Sequence, residues 1–319
     1  MNVKVLANDG IAPSGKKALE SKGFTVITET IAQDDLIDVI NKEGYEVVLV
    51  RSATTVRKEV MDSCPGLKMI GRGGVGMDNI DVQYGRDNGL VVFNTPAASS
   101  LAVAELVIGQ LFSISRSTFD SERNMPTKGN SDFKVLKKKY GKGVELRGKT
   151  LGVIGFGRIG QYTAQYALGC GMNVIASDPF VKDATVSVEV GNQSVDVKID
   201  MVSKDDLLSK ADYISLHVPM PKEGSVITKS EFNKMKDGVR IVNAARGGVI
   251  NEDDLLEALN NGKVAACSLD VFVGEPSPRA DILTHDKISL TPHVGAATVE
   301  AQDRIGTELA SQIINFYNN

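Results

Sequence analysis

Three residues able to carry acid–base chemistry on an anion follow successive apolar runs in the second half of this 319-residue chain. Arg246 sits in VNAARGGVI, Glu275 in LDVFVGEP and His293 in TPHVGAAT. An arginine set among Ala and Gly has room to reach a ligand, and its planar fork matches a carboxylate. An imidazole moves protons near neutral pH, and a neighbouring carboxylate favours its charged form and fixes its tautomer. Each residue alone reads equally well as an ordinary surface side chain. Three of them at the ends of successive strands of one α/β region are harder to dismiss, because that is where such folds build sites. Two other histidines complete the set. His285, in the polar turn LTHDK, reads as solvated, and His217, in SLHVP, as either structural or bordering a cofactor.

A second pattern names that cofactor. TLGVIGFGRIG places Gly155, Gly157 and Gly160 in a G-x-G-x-x-G triplet directly after an apolar strand and before a helical run. The first glycine permits a tight turn, the second admits a pyrophosphate, and the third lets helix pack on strand. Arg158 and Ile159 open the helix whose N-terminus attracts phosphate charge. The triplet by itself is weak, but the next strand, NVIAS, ends at Asp178, where an acidic side chain accepts the ribose hydroxyls. Asp178 repels a ribose 2′-phosphate, so NAD is expected over NADP. A turn that binds nothing, or S-adenosylmethionine or another nucleotide in its place, are the competing readings.

The elements that must position these groups form two sets. VKVLA, FTVIT, EVVLV, LKMIG and LVVFN read as strands alternating with helical stretches over the first ninety-odd residues. That rhythm implies parallel pairing in an open, doubly wound sheet. SSLAVAELVIGQLFSISRSTFDSER, Ser99 to Arg123, reads as one long helix, and the basic, Gly-broken stretch through KVLKKKYGKG as a surface loop carrying Lys137, Lys138 and Lys139. From Thr150 a second set runs through NVIASD, DYISLHV, VRIVNAA, VAACSLDV and KISLTPH. ATVSVEVGNQSVDVKIDMV interrupts it as an inserted β-hairpin turning at Gly191-Asn192. The tail repeats Ile305, Leu309, Ile313 and Phe316 at helical spacing and is expected to cross back onto the first domain. The expected division is therefore 1–98 with 294–319 as a substrate domain, and 99–293 as an inserted cofactor domain.

Composition narrows the classes further. The net charge of −4 gives no basic face for nucleic acid. Cys64, Cys170 and Cys267 are odd in number and form no CxxC pair, so no metal site or disulfide frame is expected. No apolar run is long enough to span a bilayer, and the N-terminus reads as a strand instead of a signal peptide, so a cytoplasmic location is expected.

NAARGGVI, LDVFVGEP and TPHVGAAT, with GFGRIG upstream, resemble the D-isomer-specific 2-hydroxyacid dehydrogenase family over nearly the whole chain. The resemblance implies an α/β fold of two doubly wound parallel sheets, a Rossmann NAD-binding domain inserted into a flavodoxin-like substrate domain. It assigns Arg246 to the substrate carboxylate and carbonyl, His293 to the hydroxyl proton, and Glu275 to holding and tuning the histidine. It adds His217, Val218, Ala244, Asp270, Gly295 and Ala296 to the cofactor site. RSATTV, with Arg51 and Ser52, and GRGGVGMDNID, with Arg72, Gly73, Gly74 and Val75, pair an arginine with small residues and backbone N–H groups suited to a carboxylate and a phosphate. They also read as plain glycine-rich turns. Both are most similar to the phosphoglycerate dehydrogenase branch, which implies NAD-dependent oxidation of 3-phospho-D-glycerate, the first step of serine biosynthesis. Val75 and Ala244 depart from that branch, where threonine and cysteine are frequent, and so does the hairpin. A reductase of glyoxylate, hydroxypyruvate or another 2-keto acid is the alternative within the family; an NADH-sensing corepressor-like binding protein is one outside enzymology. A homodimer through the helical region around Ser99 to Arg123 follows from the resemblance. So does the expectation that the residues after His293 leave no room for a regulatory domain.

Overall fold

The computed structural model describes residues 3–318, and they divide into two compact units. One contains Met1–Ala102 and Ala296–Asn319; the other contains Val103–Gly295. The first is built on five short strands: β1 (Lys4–Ala7), β2 (Thr25–Ile27), β3 (Tyr45–Val50), β4 (Met69–Arg72) and β5 (Val91–Asn94). They pair in parallel in the order β2-β1-β3-β4-β5. Side chains alternate across a strand, so a parallel sheet with helices on both faces must be apolar on both. Val5, Val47, Leu49 and Met69 accordingly pack into one core with Leu19 and with Ile305, Leu309 and Ile313 of the C-terminal helix Val299–Asn318. Leu6, Val48, Val50 and Ile70 pack into the other with Leu36, Ile40 and Val60. The tail thus belongs to the first core, as its periodicity predicts. Phe316 departs from that pattern: it is 39% exposed and meets only the edge of Tyr317, which instead turns onto Phe24.

The second unit carries β6 (Thr150–Ile154), β7 (Asn173–Ser177), β8 (Ala184–Val190), β9 (Gln193–Met201), β10 (Tyr213–Leu216), β11 (Val239–Asn243), β12 (Val264–Leu269) and β13 (Ile288–Leu290). Their order is β13-β12-β11-β10-β6-β7-β9-β8. All pairings are parallel except β8 with β9, the expected hairpin, which turns through Gly191 at φ 64°. The chain leaves β6 toward β7 on one side and later returns to β10 on the other. The order therefore reverses at the carboxyl end of β6, where open α/β sheets bind ligands.

Two expectations fail between the sheets. The helix from Ser99 to Arg123 is broken: Ser100–Arg116 ends at Ser117, whose φ is 53°, and a new helix runs Thr118–Lys128. The supposed basic loop is also helical, Phe133–Tyr140. Its lysines and glycines mask one internal anchor. Asp120, 8% exposed, accepts hydrogen bonds from the Tyr140 hydroxyl at 2.9 Å and pairs with Lys139 at 2.5 Å, while Leu136 is buried alongside. Lys139 is therefore a strut, and Lys137 and Lys138 remain exposed.

Candidate active site

The glycine triplet is shaped by what its Cβ atoms would strike. Gly155, at φ 90°, faces the backbone carbonyl of His217, which a Cβ would meet at 2.5 Å. A Cβ on Gly160 would collide with the carbonyl of Gly155. Gly157 faces open space at the start of the helix Arg158–Gly169, which is what a pyrophosphate approaching backbone N–H groups requires. Asp178 follows β7. Its Oδ2 accepts from Phe156 N at 2.7 Å, and its Oδ1 from Phe180 N and Val181 N at 2.8 and 3.2 Å. These bonds lock the carboxylate between two loops and leave about one of its four acceptor directions for a ribose hydroxyl. Beside it lies a cleft of about 540 Å³, lined by Ile154, Ser177, Asp178, Val181 and Val218. These residues fit an adenine dinucleotide. Lys182 and Lys204, which the sequence reading did not single out, line the same cleft.

His217 stands after β10 and shares a hydrogen bond with Ser215 Oγ at 2.8 Å. One edge of the residue stays accessible, but burial of the ring pushes its pKa down to about 3. It is therefore a neutral imidazole near neutral pH, its backbone set against Gly155. His285 is not solvated as expected. Its side chain is 12% exposed, its Nδ1 accepts from Lys287 N, and it holds a turn.

The chemistry-bearing residues arrive on three adjacent strand ends. After β11, the buried Asn243 side chain accepts from Ala245 N at 3.0 Å and donates to the Arg246 carbonyl at 2.9 Å, setting the turn that presents Arg246. Gly247 is needed because the Phe272 carbonyl occupies the place of a Cβ, so the loops after β11 and β12 touch backbone to backbone. In the second loop, Glu275 Oε1 accepts from Phe272 N at 2.8 Å, and Glu252 Oε1 accepts from Val273 N at 2.9 Å. The other Glu275 oxygen meets His293 Nδ1 at 2.8 Å. His293 follows β13 with φ 55° and a side chain 39% exposed, so its Nε2 is turned from the carboxylate and can face a ligand. This is an acid–base pair with its orienting partner in contact.

Asp270, counted on the sequence as a cofactor residue, also braces the histidine. Only 1% exposed, it accepts from Thr291 Oγ1 at 2.6 Å and from Val294 N and Gly295 N at 2.9 Å each. Ala244 lies half-buried against the core around Val153 and Val242, and Ala296, half-buried, accepts a hydrogen bond from Gln302 Nε2.

In the first unit, Arg51 follows β3 and Arg72 ends its neighbour β4. The loop from Arg51 to Thr54 wraps the carboxylate of Asp9. Oδ2 accepts from Arg51 N at 2.6 Å and Thr54 N at 3.1 Å, and Oδ1 accepts from Thr54 Oγ1. Asn79 closes it from the far side by donating to the carbonyls of Arg51 and Thr54 at 2.8 and 2.6 Å. Arg51 then lines a pocket of about 270 Å³ with Asp9, Gly73, Gln302 and Ile305. Gly74, at φ 143°, lies beneath the Arg72 guanidinium where a Cβ has no room, and its N–H donates to Thr95 Oγ1 at 2.8 Å. Val75 is 38% exposed and Ser52 is exposed. Asp9, Thr54 and Asn79 escaped the sequence reading.

Among the described residues no cluster of His, Cys, Asp or Glu could hold a metal, and no helix is long and apolar enough to cross a membrane.

Residues 108–295 match the family model for the NAD-binding domain of D-isomer specific 2-hydroxyacid dehydrogenases. The chain is 40% identical over 312 residues to a D-3-phosphoglycerate dehydrogenase of Methanocaldococcus jannaschii, covering 98% of this chain and 57% of that protein. It is also 40% identical, over 315 residues, to a hydroxypyruvate reductase of Thermotoga maritima, covering 97% of each. The chain thus spans little more than half the length of the first relative and nearly all of the second. A crystal structure of D-lactate dehydrogenase from Aquifex aeolicus, complexed with NAD and lactic acid, superposes with a TM-score of 0.77 at 27% identity, covering 99% of this chain and 95% of that one.

Proposed function

Because the chain belongs to the D-isomer specific 2-hydroxyacid dehydrogenase family, we propose that it oxidises a phosphorylated 2-hydroxy acid, 3-phospho-D-glycerate, to the 2-keto acid with NAD. The observation that carries the chemistry is the 2.8 Å contact of Glu275 with His293 Nδ1, on a strand end next to the Arg246 loop. His293 Nε2 accepts the C2 hydroxyl proton during oxidation and returns it during reduction, a transfer worth roughly 100- to 10,000-fold in rate. Glu275 fixes the tautomer by taking the Nδ1 proton's hydrogen bond and stabilises the imidazolium once it forms. Arg246 binds the substrate carboxylate and polarises the carbonyl being formed. Bound NAD supplies the hydride acceptor. The open backbone at Gly157 would hold its pyrophosphate and Asp178 its ribose.

The phosphate is the finer part of the reading. A dianion in a cleft needs cationic donors, and charge-assisted bonds are about twice as strong as neutral ones. Arg51 and Arg72, on neighbouring strand ends with Ser52 and Val75 beside them, supply them, while the N–H groups of Gly73 and Gly74 are given to the Val50 carbonyl and Thr95 Oγ1. Reduction of hydroxypyruvate is the second reading, supported by the equally identical Thermotoga relative. The test is Arg51→Ala assayed on phosphoglycerate and on unphosphorylated hydroxypyruvate. We expect KM for the phosphorylated acid to rise about tenfold or more, with a much smaller change for the other. Equal losses on both give Arg51 the carboxylate or the fold instead, and favour the reductase.

A second copy of the chain completes the reading. Phe112, Met125, Phe133 and Val135 stand 40–65% exposed on the three helices between the sheets, an unusual concentration of large apolar side chains on a soluble surface. Sedimentation at micromolar concentration tests for the dimer these helices would form.

A further inference from the structure

His293 sits at φ 55°, a left-handed backbone conformation uncommon for a non-glycine residue. The groups that hold it form a chain of hydrogen bonds. Gln110, 4% exposed on the helix Ser100–Arg116, donates through Nε2 to Thr291 Oγ1 at 3.0 Å. Thr291 donates its single hydroxyl proton to Asp270 Oδ1 at 2.6 Å. Asp270 in turn accepts the N–H groups of Val294 and Gly295, the two residues after the histidine. On the other side the His293 N–H donates to the Thr291 carbonyl at 3.1 Å, and the Thr291 N–H to the Leu269 carbonyl at 3.0 Å. Residue 291 therefore grips the turn at both ends: its backbone before the histidine, and its hydroxyl, through Asp270, after it.

We infer that Thr291, supported by Gln110, is a positioning residue for His293, and that its hydroxyl, not its bulk, sets the direction of Nε2. The hydroxyl has one proton, so its direction is decided by what it accepts. With Gln110 Nε2 occupying a lone pair, the proton is left to point at Asp270. Asp270 is nearly wholly buried, and without that proton it would hold a buried charge on two backbone donors alone; the loop would relax to supply a third. A shift of the imidazole by about 1 Å is enough to lower turnover about a hundredfold. The inference rests on His293 as the acid–base residue.

Thr291→Val keeps the shape and removes the hydroxyl; Thr291→Ser keeps the hydroxyl and removes a methyl. In the full chain we expect Thr291→Val to lower kcat about ten- to a hundredfold, with a much smaller change in NADH affinity by fluorescence titration. Amide exchange at Val294 and Gly295 should quicken. Thr291→Ser should restore both turnover and protection. Gln110→Met should act in the same direction and add nothing in the Thr291→Val background, since both work through one hydroxyl. Equal losses in Val and Ser would assign the effect to packing and overturn the proposal, as would a Val variant with native turnover beside an inactive His293→Ala. If His293→Ala itself turns over normally, the acid–base reading falls, and the positioning role with it.

Discussion

At the scale of single residues, the cofactor preference comes down to one carboxylate and two lysines. Asp178 is held by three backbone donors, so its charge is fixed at the edge of the cleft proposed for the ribose. Lys182 and Lys204 line the same cleft and would attract a 2′-phosphate, although Lys204 is drawn toward Glu231 at 3.2 Å. Hydrogen bonds to a charged group are worth roughly 1.5–3 kcal/mol. Asp178→Ala should therefore weaken NAD by about tenfold or more, and Asp178→Asn, which keeps one acceptor and removes the charge, should raise kcat/KM with NADP while costing less with NAD. An unchanged ratio of the two efficiencies in both variants would show that the ribose is recognised elsewhere. The glycines, Asp178, Arg246, Glu275 and His293 could be singled out because each follows an apolar strand run, and it is their combination, not any one of them, that suggests a site. Asn8, Asp9, Thr54, Asn79, Gln110 and Thr291 were not. Each is an ordinary polar residue whose meaning is a partner far along the chain: Thr54 meets Asn8 and Asp9, and Thr291 meets Gln110 across 181 positions.

At the scale of elements, strands announce themselves through β-branched runs, and all thirteen lie in or beside the apolar segments read from the sequence. Helices whose outer surface is wide are harder. Thr118–Lys128 carries Pro126 and Phe133–Tyr140 carries four lysines, so little but Leu136 betrays an inner face. Their contact depends on Asp120. Burial raises the pKa of that carboxyl, but hydrogen bonds from Lys139 and Tyr140 outweigh it, and the net shift is downward. A carboxylate lowered on folding stabilises the native state above its unfolded pKa of ~3.9, and that contribution is lost as pH falls through the lower folded value. Asp120→Asn should thus cost about 1–3 kcal/mol near neutrality and flatten the acid limb of the stability curve. Urea midpoints measured from pH 3 to 7 would reveal it; parallel curves for the two proteins would mean that Asp120 is not ionised in the pair.

At the scale of the whole chain, the sequence-distant tail decides which unit is complete. The first unit ends its own strands at Asn94, yet one face of its sheet has no helix from the first ninety-odd residues except Pro13–Glu20. Val299–Asn318 fills the remainder, with Ile305, Leu309, Ala310 and Ile313 each no more than 4% exposed against Val5, Val47, Leu49 and Met69. Gly15 and Gly306 mark how tightly the two helices meet: a Cβ on Gly15 would enter the backbone of Gly306. The same helix lends Gln302 and Ile305 to the pocket of Arg51, so its docking bears on binding as well as on stability. Leu309→Ala removes a buried side chain 2% exposed and should cost about 2–5 kcal/mol. Because the buried residues of the helix pack in the first core, the loss should be local. Hydrogen exchange should quicken in β1, β3 and β4 while β6, β10 and β11 keep their protection. The KM for the 2-hydroxy acid should rise before NADH affinity moves. Uniform loss of protection across both sheets would show that the two cores unfold as one, and that the tail stabilises the molecule beyond the unit it completes.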